Sequence, residues 1–211
     1  MKYLTEKNFE IIIICKSAQR SLLAAALPEA RLRKHRKTVQ VIFQDPFRSL
    51  NPRRTVGQSI IEGPTNFGLR ESEALARARD LMGLVGLSPD ALSRYPHQFS
   101  GGQRQRISIA RALAMQPHVL IADEAVSALD VSVQAQVLEL LDQVRKQFDL
   151  ALLFITHDLR VAAQICDRIM VMQKGEVVEE GPTVEIFRNP QHSYTKALFD
   201  AAPGHDFALS H

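Results

Sequence analysis

The chain has 211 residues, of which 45% are hydrophobic, and carries a formal net charge of +3. That length fits one or two domains, with one favoured, and the apolar fraction suffices for an ordinary core. The mild charge demands no polyanionic partner, and no apolar run approaches the roughly 18 residues needed to cross a bilayer.

The first forty residues are the least like the rest. Ile11–Cys15 reads as a short buried strand, and Ser17–Leu27 as a helix with Leu22, Leu23 and Ala26 on one side, stopped by Pro28. Lys16 and Arg20 interrupt the apolar region, which argues against a secretory signal. Arg31, Arg33, Lys34, Arg36 and Lys37 form a basic run. No Phe, Tyr or Trp is interleaved with it for base stacking, so it reads as a solvated face and not as a nucleic-acid site. Cys15 and Cys166 sit in apolar surroundings, as buried thiols in a reducing compartment would, and their spacing makes no metal site.

Val39–Phe43 reads as a strand ending in Gln44, Asp45 and Pro46. A helix capped by Thr55 is expected through Ile61, then a loop marked by Gly63, Pro64 and Gly68. Leu75, Ala78, Leu81, Met82 and Val85 give Glu71–Val85 a helical core face, closed by Gly86 and Pro89.

The most informative stretch is Phe99–Asp130. Ser100 is a good N-cap, Gly101 and Gly102 bare the backbone behind it, and Ile107, Ala110, Leu113 and Ala114 line one helical face. Such a helix start presents free N–H groups and the positive dipole end together, which suits an anion. Pro117 ends the helix. Val119–Ala122 then reads as a strand buried on both faces, finishing in Asp123 and Glu124. Acids at the carboxyl end of a buried parallel strand face the crevice where open α/β sheets bind ligands.

An amphipathic helix follows over Val133–Val144, and a second buried strand, Leu150–Thr156, ends at His157. Leu159–Cys166 reads as a short helix. Arg168–Met172 and Glu176–Glu179 flank a Lys174-Gly175 hairpin turn. Thr183–Phe187 and Ser193–Ala201 read as short helices separated by Asn189-Pro190.

Taken jointly, these segments resemble the ATP-binding-cassette (ABC) ATPases. F-S-G-G-Q at Phe99–Gln103 is similar to their signature motif, V-L-I-A-D-E at Val119–Glu124 to the Walker B strand, and S-A-L-D at Ser127–Asp130 to the D-loop. V-I-F-Q-D-P resembles the Q-loop, T-H-D the H-loop, and both S-L-N-P-R and the tail from Gly181 to Pro203 resemble the dipeptide/oligopeptide importer class. The resemblance implies an α/β, P-loop NTPase-like core with a helical signature subdomain. Its parts would be an atypical N-terminus at 1–38, the helical subdomain at 45–115, the catalytic core at 116–180 and a C-terminal extension at 181–211.

The resemblance also implies ATP and Mg2+ as ligands, a second ABC ATPase subunit as partner, and transmembrane permease subunits at the cytoplasmic face of the inner membrane. By it, Asp123 and Gln44 meet the metal, Glu124 polarises the attacking water, and His157 contacts the γ-phosphate. Ser100, Gly101, Gly102 and Gln103 would hold the partner's nucleotide, and Asp130 would link the two sites. Ala125–Val126 replaces a usual Pro-Thr, which alters a turn and no ligand. Some relatives of this class carry an iron–sulfur cluster on tail cysteines; this tail has none, so that cofactor is not implied.

One motif is missing. ATP hydrolysis needs a phosphate cradle, and G-x-x-x-x-G-K-[ST] does not occur: the first glycine is Gly57. Lys16-Ser17 mimics the motif's end, but Cys15 stands where glycine is needed. The N-terminal part therefore reads as truncated or degenerate. Two functions follow as expectations: a working importer ATPase, or a non-enzymatic remnant that supplies its signature helix in trans.

Overall fold

The computed structural model describes residues 10–14 and 36–201. The expected helix Ser17–Leu27, the residues Cys15, Lys16 and Ser17, and the first part of the basic run lie outside them. Arg36 and Lys37 are exposed, as a solvated run requires. The described residues divide into two compact units, one over 36–150 and the other over 10–14 and 151–201.

The first unit opens with strand β2 (Val39–Ile42), after β1 (Glu10–Ile14) of the second. Then come α1 (Pro46–Ser49), α2 (Val56–Asn66), α3 (Glu71–Leu84), two 3₁₀ turns, α4 (Gly101–Ala114), β3 (Val119–Asp123) and α5 (Val131–Gln147). Helices α2, α3 and α4 pack on one another. Val56, Ile60, Ala78, Met82, Ile107 and Ala110 are buried among the apolar residues that fill this unit.

Helix α2 departs from expectation. Thr55 caps it, accepting from the Gln58 amide at 3.2 Å while Gln58 Oε1 accepts from the Thr55 amide at 3.0 Å. The helix does not stop at Ile61 but continues through Gly63 and Pro64. Pro64 removes one backbone donor, yet it is buried, and Thr65 Oγ1 reaches the carbonyls of Ile61 and Glu62 at 2.9 and 3.1 Å. Gly63 makes room for Met115: a Cβ there would lie 2.6 Å from its sulfur. Packing has overridden the local signal for a turn.

Strands β2 and β3 pair in parallel, Val39 opposite Val119 and Ile42 opposite Ala122. This register brings the chain out of both strands at the same end. Gln44 and Glu124 each follow two residues beyond the last pair.

The second unit holds β4 (Ala151–Thr156), α6 (Leu159–Ile165), β5 (Arg168–Gln173), β6 (Glu176–Pro182), α7 (Thr183–Arg188) and α8 (Ser193–Ala201). Its strands run in the order β4-β1-β5-β6, all antiparallel. The β5–β6 hairpin turns at Lys174 and Gly175 with φ of 52° and 84°, the left-handed pair that a two-residue turn needs. Phe154, Ile169, Val171 and Cys166 are fully buried or nearly so. Among the described residues, no helix is long and apolar enough to cross a membrane.

Candidate functional site

The start of α4 is built by its own sequence. Ser100 Oγ accepts from the Gln103 amide at 3.3 Å, and Gln103 Oε1 accepts from the Ser100 amide at 3.0 Å. This reciprocal cap satisfies two backbone donors and is worth about 1 kcal/mol. Gln103, expected at the nucleotide, is thus engaged in the cap.

The two glycines behind Ser100 differ. A Cβ on Gly101 would meet only Leu129 Cδ2, at 3.9 Å, so the exposed helix start has room in front of it. A Cβ on Gly102 would lie 2.4 Å from Val133 Cγ1, because α4 and α5 begin against each other there. Gly102 is required by this close approach. Asp130, at the same junction, caps α5: its Oδ1 accepts from the Val133 amide and from Ser132 Oγ, both at 3.0 Å. The Val133 and Ser132 hydrogen bonds hold its carboxyl below the usual carboxylate range.

At the shared end of β2 and β3, Glu124 turns sharply. Its φ is 46°, a left-handed conformation uncommon for a residue with a Cβ, and it is 9% exposed. The Ser127 amide and Ser127 Oγ both donate to the Glu124 carbonyl, at 3.1 and 3.0 Å. Gln44 Nε2 donates in turn to Ser127 Oγ at 3.1 Å. Ala125 and Val126, the unusual pair in this turn, are buried.

The loop that carries Gln44 is also tied to α4. Ser49 and Ser108 share a hydrogen bond of 3.0 Å between their hydroxyls, and Arg111 donates to the Ser49 carbonyl. Burial pulls the Arg111 guanidinium below its ordinary range, and Glu62 counteracts it. Ser127, Ser49 and Arg111 were not singled out as positioning groups by the sequence. Their partners lie 83, 59 and 62 residues away, and no local pattern announces such bonds.

His157 belongs to the other unit and is exposed at the end of β4. Beside it, Asp158 caps α6 by accepting from the Arg160 amide at 2.9 Å, and the Asp158 amide donates to Thr156 Oγ1 at 3.0 Å. Burial pushes the Asp158 carboxyl up, but hydrogen bonds from Arg160 outweigh it and leave the carboxyl below its ordinary range. Ile11 pairs with Thr156 and Ile14 with Leu153, so β1 enters beside the His157 end of β4 and leaves at the other end. A strand feeding a phosphate loop toward His157 would have to run the opposite way.

A family profile described as "ABC transporter" matches residues 14–127, and one described as "Oligopeptide/dipeptide transporter, C-terminal region" matches 178–210. The first match takes in Lys16 and Ser17. A protein of Brucella ovis named as a peptide import ATP-binding protein is 48% identical over 183 residues, which are 86% of this chain and 58% of that protein. The glutathione import ATP-binding protein GsiA of Escherichia coli O157:H7 is 52% identical over 178 residues, 84% of this chain and 29% of its own length. This chain therefore spans less than two thirds of either relative.

Among solved structures, cbiO1 from Clostridium perfringens, part of the ABC transporter complex cbiONQ, aligns with a TM-score of 0.70 and 30% identity over 77% of this chain and 64% of its own. The ATP-binding cassette MJ0796, solved as a dimer with ADP and Pi, aligns with a TM-score of 0.64 and 29% identity over 75% of this chain and 68% of its own. The chain shares the α/β fold of these proteins. On the family match and the shared fold together, the chain belongs to the ATP-binding-cassette transporter family.

Proposed function

We propose that this chain is the ATP-binding and ATP-hydrolysing subunit of a peptide importer of the dipeptide/oligopeptide class. It works paired with a second ATPase subunit, beneath transmembrane permease subunits at the cytoplasmic face of the inner membrane. The observation that carries this reading is the β2–β3 register, which sets Gln44 and the acids Asp123 and Glu124 at one strand end. The relatives named for peptide and glutathione import, and the matched C-terminal region, support the solute class.

In this reading Glu124 accepts a proton from the attacking water, which Gln44 helps to place. Asp123 and the Gln44 amide oxygen are hard oxygen donors and suit Mg2+. Among the described residues no group of three or more His, Cys, Asp or Glu side chains is poised around a common point. That fits an ion held by one or two side chains and completed by phosphate and water. Such an ion supplies charge neutralisation at the phosphates. His157 donates to the γ-phosphate. The capped start of α4, open in front of Gly101, offers its N–H groups to the nucleotide on the partner subunit.

A second reading, favoured by the missing glycines and the direction of β1, is that the chain completes only the partner's site. Titration with a fluorescent ATP analogue separates the two. Micromolar binding abolished by Lys16→Ala supports a cradle on this chain. Absence of binding alone, with ATP-dependent pairing to a homologous subunit whose catalytic glutamate is disabled, supports the second, and Gly101→Asp abolishes that pairing. A chain that stays monomeric and binds nothing, while folded by circular dichroism, sinks both.

A further inference from the structure

We propose that Ser127 is a positioning residue: its hydroxyl joins Gln44 to the backbone of Glu124 and thereby sets where the Glu124 side chain points. The proposal rests on the reading of Glu124 as the proton acceptor.

Donors and acceptors match along the link. A hydroxyl has one proton to give and lone pairs to receive. Ser127 Oγ gives its proton to the Glu124 carbonyl and receives one from Gln44 Nε2. That carbonyl has two lone pairs, and Ser127 fills both, one from its hydroxyl and one from its amide. The three-residue turn is thus closed twice over a residue whose backbone lies in the left-handed region. Such a conformation persists where its surroundings over-determine it, and it directs the side chain differently from a continued strand.

The outer half of the link is weaker by design of its setting. Gln44 and Ser127 are exposed, so water competes for the contact and it opens at little cost. The inner half is held by the turn itself. A displacement of the loop carrying Gln44 frees the Ser127 hydroxyl to reorient and loosens one of the two bonds to Glu124. The link spans 83 residues of sequence in a single bond, so it reports the position of one strand end to the other.

A plain turn-forming serine has no need of Gln44, and this separates the alternatives. Resonances of Glu124 and hydrogen exchange of the residue-127 amide are followed by solution NMR in the full chain. The set comprises wild type, Gln44→Ala, Ser127→Ala, Ser127→Thr and the double alanine variant. The expected result is exchange at residue 127 faster by about five- to tenfold in Ser127→Ala, the loss of one ordinary hydrogen bond. Gln44→Ala shifts the Glu124 resonances in the same direction, the double variant goes no further than Ser127→Ala, and Ser127→Thr restores wild-type values. Unchanged Glu124 resonances in Gln44→Ala, or additive effects in the double variant, overturn the proposal. A second arm measures ATP hydrolysis of the chain assembled with a partner ATPase subunit. Ser127→Ala lowers kcat at least tenfold with KM for ATP unchanged, and Ser127→Thr restores it. Equal kcat in wild type and Ser127→Ala overturns the proposal. An assembly whose wild type hydrolyses nothing removes the reading of Glu124, while the resonances still decide the link.

Discussion

The two units hold their functional ends by different means. In the unit over 36–150, polar side chains reach across long stretches of sequence: Gln44 to Ser127, Ser49 to Ser108, Arg111 to Ser49, Arg77 to the Ala114 carbonyl and Arg106 to the Val85 carbonyl. In the unit over 10–14 and 151–201, the hydrogen bonds of Asp158, the residue after His157, span two residues, to Thr156 and from Arg160. Its longer links, Thr183 to the Cys166 carbonyl and Glu179 to the Gln191 and His192 amides, tie down the segment after the sheet. A strand end whose acid must sit in a left-handed turn needs support from elsewhere in the fold. A strand end that carries an exposed histidine is held by register and a helix cap.

The largest effect is expected where the first unit has no slack. Gly102→Val drives a side chain into Val133, whose χ1 is restricted in a helix, and overpacking of this kind costs about 2–3 kcal/mol. Urea unfolding checks it. A loss below 0.5 kcal/mol would show that α4 and α5 separate freely and that the unit is looser than its long-range bonds suggest.

Next comes Arg111→Ala, which removes a half-buried guanidinium from the Ser49 carbonyl and should cost about 2 kcal/mol, the range for a hydrogen bond to a charged group. Ser108→Ala tests the same tie at about 1 kcal/mol. A double variant less damaging than the sum marks one coupled clamp, and strict additivity breaks the contrast drawn above.

The second unit provides a pH test. Burial pushes the Glu179 carboxyl up, but the Gln191 and His192 amides that donate to it outweigh this and leave its pKa below the ordinary 4.5. A carboxyl depressed in the folded state contributes stability that is complete above its unfolded value and is lost as pH falls through the folded one. The Gln191 and His192 amide resonances should therefore move as pH falls, with a midpoint below 4.5. Glu179→Gln should abolish that transition at a cost of about 1 kcal/mol. A midpoint at or above 4.5 would show the carboxyl is not held in this way.

The smallest effect is expected at Gly101. Gly101→Ala places a methyl in ordinary contact with Leu129 and should change stability by no more than about 1 kcal/mol, in the favourable direction through helix propensity. Thermal unfolding that matches or exceeds wild type, against the large loss at Gly102, would confirm that adjacent glycines serve different ends.

Much of this was written in the sequence. Ser100, Gly101 and Gln103 specify a helix start by local chemistry alone, and the cap forms as its residue types predict. Val119–Asp123 is a strand because a short β-branched and aliphatic run between a helix stop and two acids has no better alternative. Lys174-Gly175 makes a hairpin for the same local reason. Three features were decided only by tertiary structure. Helix α2 runs through Pro64 because burial of Pro64 and the fit of Gly63 against Met115 outweigh a lost backbone bond. Gly102 is fixed by Val133, thirty-one positions on, which no reading of neighbours supplies. Strand β1 was legible as a strand, but its direction was not, since a run of isoleucines fits a parallel or an antiparallel neighbour equally and only pairing with β4 and β5 chooses. Period and capping are properties of a segment, whereas direction, close approach and the partner of a lone hydroxyl are properties of what the fold places beside it.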